Sequence, residues 1–154
     1  MALAGQLETE IEIKAEAHAF HDVFSRRPHH VSNMAPGHIQ SADLHEGDWG
    51  QKGCVVYWNY THDGVPEVAK DIIEEINDEK NSTFKVIEGH LLEKYKSVHA
   101  IVQATPKDEG SLVHWTLKYE KLSEDVPEPK GIIQLFNNMT KEIDALLTQQ
   151  EQQT

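Results

Sequence analysis

Residues 6–14, QLETEIEIK, set Leu7, Thr9, Ile11 and Ile13 against Glu8, Glu10, Glu12 and Lys14. Successive side chains of a strand point to opposite faces, so this run predicts a strand with one apolar and one charged side. The period then changes. In AEAHAFHDVFSRR, Ala19, Phe20, Val23 and Phe24 share one helical face, and Pro28 interrupts before a second short helical piece near HHVSNMA.

From about residue 39 to residue 121 extended segments alternate with turn signals, the rhythm of an antiparallel meander. The segments include CVVYWNYTH, VPEVAKDIIEEI, TFKVIE, SVHAIVQAT and SLVHWTLKYEK. Turns are expected at Asp63-Gly64, NDEKNS (77–82), EGH (88–90) and KDEGS (107–111), where glycine accepts positive φ and Asn, Asp and Ser bond their own backbone. In the last strand Val113, Trp115, Leu117 and Tyr119 oppose His114, Thr116, Lys118 and Glu120. After the proline-rich SEDVPEPKG, the segment IIQLFNNMTKEIDALLTQQEQQ carries Ile132, Phe136, Met139, Ile143 and Leu146 or Leu147 on one helical stripe. Its glutamine-rich end is expected to fray.

The expected order is therefore one strand, two short helices, six strands and one long helix. A single curved antiparallel sheet must cover its apolar face, and one helix at ~1.5 Å per residue can lie along it. One helix does not fill a broad curved sheet, and the remaining space would serve as a ligand cavity at ~300 to 1,000 Å³. Alternation assigns the inward rows: Ile11 and Ile13; Val56, Trp58 and Tyr60; Phe84 and Val86; Ala100 and Val102; Val113, Trp115 and Leu117. Phe20 from the first helix and Phe136, Met139 and Ile143 from the last complete the expected lining. Trp58 and Tyr60 can offer an N–H and an O–H to a ligand, and Met139 can repack around one.

Length and charge narrow the picture. A chain of 154 residues suits one domain, with a core expected over about 6–148. Its formal charge of −12 argues against a phosphate backbone or an anionic membrane as partner. The single Cys54 has no internal partner, MALAGQLETE lacks the basic n-region and apolar run of a signal peptide, and no stretch approaches ~18 consecutive apolar residues. A cytoplasmic protein without stable membrane insertion is expected.

Candidate chemistry is sparse. HEGDWGQKG spaces Gly47, Gly50 and Gly53 three apart around Trp49, a spacing open to a phosphate cradle, a hairpin turn or a pocket rim. A nucleotide loop needs Lys-Ser or Lys-Thr and then a helix, whereas Gly53 leads into Cys54 and an apolar strand. The run reads as a hairpin connection whose glycines allow unusual φ, with Trp49 anchoring it against the sheet. His18, His21 and Asp22 fall at helical spacing and could face one ion, but the pattern is nonspecific and no metal or cofactor is expected. His29 and His30 beside Arg26 and Arg27 form the concentrated basic spot, an acid-base pair, an anion contact or a solvated helix junction.

The segments LETEIEIKA, RRPHHV, LHEGDWGQKGCVVYWNYTHDG, FKVIEGHLLEKYKS, ATPKDEGSLVHWTLKYEK and KEIDALL, in this order, resemble the plant major latex protein-like family of the Bet v 1-like and START-like superfamily. The resemblance implies an α+β helix-grip fold: a seven-stranded curved antiparallel sheet around a long C-terminal helix, with two short helices after the first strand. It also implies a carrier of small hydrophobic ligands such as steroids, cytokinins, flavonoids or fatty acids, linked to plant defence and stress response. A weak ribonuclease or a small-molecule cyclase or isomerase on the same scaffold is the alternative. The ribonuclease suits neither the charge of −12 nor this glycine loop, which carries a tryptophan and fewer glycines than that of the class-10 relatives.

Overall fold

The computed structural model describes residues 3–62, 64–76 and 81–152. The element order is β1 (Ala4–Ile13), α1 (Ala17–Ser25), a 3-10 turn (Pro28–His30), α2 (Val31–Met34), β2 (Ile39–Glu46), β3 (Val55–His62), β4 (Val65–Ile76) and β5 (Asn81–Gly89). A second 3-10 turn (His90–Glu93), β6 (Tyr95–Pro106), β7 (Ser111–Lys121) and α3 (Lys130–Gln152) follow. Asp63 and residues 77–80, where two turns were expected, lie outside the described residues. At the EGH signal, Gly89 at φ 128° leads into the second 3-10 turn. α3 holds helical backbone through its glutamine-rich end as far as Gln152, where fraying was expected.

The strands form one sheet in the order β1-β7-β6-β5-β4-β3-β2, every pairing antiparallel. β1 and β2 are adjacent in the chain yet occupy opposite edges, so α1 and α2 carry the chain across the end of the sheet. Register follows the alternation: Ile11 faces Val113, Thr9 faces Trp115 and Leu7 faces Leu117 across β1 and β7. The β6–β7 connection places Gly110 at φ 87°, where an added Cβ would collide with the Ile13 carbonyl, so this turn requires glycine.

The core lies between the inner face of the sheet, α1 and α3. Phe24 of α1 meets the Trp115 ring edge-on at 5.2 Å, and Phe136 of α3 stacks on Trp115 at 4.4 Å. One aromatic series therefore joins both helices to the middle of the sheet, and geometries of this kind stabilise by ~0.5–1.5 kcal/mol per pair beyond area burial.

Polar ties fix the later part of α3. Thr9 Oγ1 donates to Asn137 Oδ1 at 3.0 Å, Trp115 Nε1 donates to Thr140 Oγ1 at 2.8 Å, and the Ala15 amide donates to Asp144 Oδ1 at 2.9 Å. Residues 137, 140 and 144 follow one helical stripe, so a single side of the helix is fastened to β1, β7 and the corner after β1. The earlier turns, with Ile132, Leu135 and Phe136, span open space instead.

Candidate functional site

The glycine run connects β2 to β3, with strands on both sides. Gly47, Gly50 and Gly53 all take positive φ, at 80°, 84° and 90°, as expected of a connection that side chains would strain. Trp49, expected to anchor the loop against the sheet, is partly buried against the core. It rests 4.3 Å from the ring of His29, at the junction of α1 and the first 3-10 turn, and Gly50 approaches Arg26. The loop thus covers the helical corner.

That corner absorbs the basic spot. Arg27 Nε pairs with Asp22 at 3.0 Å, and the His29 ring also meets His30 edge-on at 4.3 Å. Burial, then the neighbouring His30 and Arg27, lowers the His29 pKa from its ordinary value. His21 turns inward, its Nε2 3.0 Å from Ser82 Oγ, while Asp22 serves the arginines. His18, His21 and Asp22 therefore do not converge, and among the described residues no three His, Cys, Asp or Glu side chains gather as a metal site.

Between the sheet and the early turns of α3 lies a cavity of about 100 Å³. It is smaller than the ~300 to 1,000 Å³ expected from the sheet's breadth. The aromatic side chains explain the difference: Phe24, Trp58, Phe84, Trp115 and Phe136 all project into the space. A second recess of about 300 Å³, with His38, Thr61, His62, Gln134 and Asn138 among its walls, adjoins it. Leu135 lines both spaces.

Of the residues expected to line a cavity, Trp58, Tyr60, Phe84, Val86, Ala100, Trp115, Leu117, Phe136 and Met139 do so. Ile11, Ile13, Phe20, Val56, Val102, Val113 and Ile143 do not reach it. Phe20, Val56, Val102, Val113 and Ile143 are fully buried core, and Ile11 packs against that core from the edge. They face inward, but nearer the α1 end, where the space is filled. Gly47, Trp49, Gly50 and Gly53 are also absent from the lining.

The lining also contains residues the alternation did not single out, among them Phe24, Ala69, Val98, Leu135 and Asp71. Val98 could have been found by carrying the Ala100–Val102 row back by one step. Asp71 is the unexpected one. It lies opposite Val56 on β3 and Val86 on β5, with a register irregularity between Lys70 and Asp71. The extra residue there is Ile87 on β5, and β4 keeps its alternation, so Asp71 shares the inward face of Ala69 and Ile73 and enters the apolar interior.

The Asp71 Oδ1 atom is buried without a hydrogen-bond partner, and burial pushes its carboxyl up to about 7. Trp58 Nε1 is likewise buried and unpartnered, whereas Trp115 Nε1 has Thr140. The Tyr60 hydroxyl ionises well above its ordinary range because of burial, then Glu67, then Asp71. Asp71, Trp58 and Tyr60 thus form one polar corner in an otherwise apolar lining.

With this geometry in place, residues 2–150 match the family described as the pathogenesis-related protein Bet v 1 family. The chain belongs to the Bet v 1 family. Within it, MLP-like protein 43 of Arabidopsis thaliana is 50% identical, covering 97% of this chain and 97% of that protein. MLP-like protein 34 of the same plant is 52% identical over 99% of this chain, but the chain spans 49% of that protein's length. It likewise spans 46% of MLP-like protein 28. Ginseng major latex-like protein 151 from Panax ginseng superposes with a TM-score of 0.91 at 43% identity, covering 94% of this chain and 97% of that one. A norcoclaurine synthase from Thalictrum at 18% identity and TM-score 0.81 shares the fold. This Bet v 1 family chain has the helix-grip arrangement of seven curved strands, two short helices after the first strand and a long C-terminal helix. Among its described residues no helix is long and apolar enough to cross a membrane.

Proposed function

We propose that this protein holds a small, mainly apolar molecule between its sheet and α3 and acts as a carrier or reservoir for it. The observation that carries this reading is the lining itself, in which Asp71 is the one charged side chain among apolar and aromatic neighbours. Enclosed apolar surface with a few convergent polar groups is the usual form of a small-molecule site. Opening Leu135 would join the cavity to the adjoining recess and bring the space into the range of such sites. Steroid, cytokinin, flavonoid and fatty-acid ligands, a role in defence and stress, and a cytoplasmic location belong to this proposal by resemblance. His29 and His30, the acid-base candidates, lie outside the cavity lining, so catalysis gains no support from them.

Trp58 and Trp115 line the cavity and report directly on occupancy. Titration with a panel of those four ligand classes is expected to change tryptophan emission saturably for at least one class. Native mass spectrometry of protein from its source should show a co-purified small molecule. A panel without a binder, together with ligand-free native protein, would remove the carrier reading.

A further inference from the structure

The polar corner says more about the ligand than the apolar walls do. Trp58 is 8% exposed with its Nε1–H unpartnered, and Asp71 Oδ1 is buried without a partner. Trp58 pairs with Ala69 across β3 and β4, and Asp71 is the next inward residue of β4. Diagonal neighbours of this kind have Cα atoms ~7–8 Å apart, a gap that one ligand oxygen can bridge with two hydrogen bonds of ~3 Å. Burying polar atoms with nothing bonded to them costs ~1–3 kcal/mol each, a cost a suitable ligand would offset.

We propose that the cavity selects apolar ligands bearing a neutral hydroxyl over ligands of the same skeleton bearing a carboxylate, the hydroxyl oxygen accepting from Trp58 Nε1–H and its hydrogen donated to Asp71 Oδ1. The proposal rests on the carrier reading and deepens it. A hydroxyl donates and accepts at once, and so satisfies both atoms. An ether oxygen accepts from Trp58 and leaves Asp71 bare. A carboxylate places a second negative group beside Asp71 in a poorly solvated space. Tyr60 is the other titratable group in the lining; β5, β6, β7 and α3 present apolar or indole side chains there. Glu67, whose charge helps to raise the Tyr60 ionisation, is acidic and reinforces the discrimination against anions.

The test uses the full chain at pH 8 and three probes built on an eight-carbon chain: 1-octanol, octanoate and methyl octyl ether. Proton NMR titration follows the Trp58 and Trp115 indole signals. Octanol is expected to bind about tenfold tighter than either of the others. Asp71→Asn, a neutral isostere, should narrow the octanol–octanoate gap to within about threefold. Trp58→Phe should bring octanol close to the ether. Equal affinity for all three probes, or an octanol–octanoate gap unchanged in Asp71→Asn, overturns the selection while leaving cavity binding intact. If no probe moves either indole signal, the selection is overturned, and the four-class panel with native mass spectrometry decides the carrier reading separately.

Discussion

At the scale of single residues, Asp71 carries a pH-dependent cost. Its carboxyl ionises near 3.8 when solvated and at about 7 in the folded protein, the cause being burial. Between those values the folded state holds a proton that the unfolded state has lost, so this group's contribution falls as pH rises from about 4 to 7. Asp71→Asn removes the penalty. Urea unfolding should show the variant more stable than the parent by a few kcal/mol at pH 8, with the difference vanishing near pH 4. A constant difference across that window would contradict the burial argument. Trp49 offers a second residue-level test. It is partly buried over His29, and Trp49→Ala should cost ~1–2 kcal/mol through lost contact with the helical corner. Because Trp49 is outside the cavity lining, the ligand affinity of the folded variant should stay within about twofold of the parent's, as isothermal titration can check.

Among the elements, α3 is fastened unevenly. Its Asn137, Thr140 and Asp144 are bonded to β1, β7 and the following corner, while Leu135 and Phe136 stand over the cavity. Leu135 lines both that cavity and the adjoining recess, so Leu135→Ala should join the two. Stopped-flow fluorescence is expected to show ligand association at least about tenfold faster, since entry no longer waits for a side chain to swing aside. An unchanged rate would place the entry route elsewhere. The elements themselves were largely legible. β1 and β7 alternate so regularly that inward faces follow from Leu7 to Ile13 and from Val113 to Tyr119, and α3 shows its stripe at Ile132, Met139 and Ile143. Position within the interior was not legible. Alternation gives the face a side chain points to, not its distance from the filled end, which is why Val56 and Trp58 read alike although only Trp58 lines the cavity. Asp71 was passed over for another reason: it has the inward parity of Ala69 and Ile73, but a carboxylate is so seldom buried that it reads as surface whatever its parity.

For the molecule as a whole, the sheet order is the governing fact. β1 has a single strand neighbour, β7, and the corner after β1 is held by Asp144, a sequence separation of 129 residues from Ala15. A chain emerging from the ribosome therefore exposes its first strand long before that strand's partner is made. Pairing across such separations is entropically late, so the hairpins of β2 to β7 are expected to organise first. Nascent chains stalled before β7 should remain open to protease along β1, and full resistance should appear only once α3 has cleared the tunnel. Synthesis order thus makes the last helix the closing step of assembly, and the apolar interior stays uncovered until it arrives.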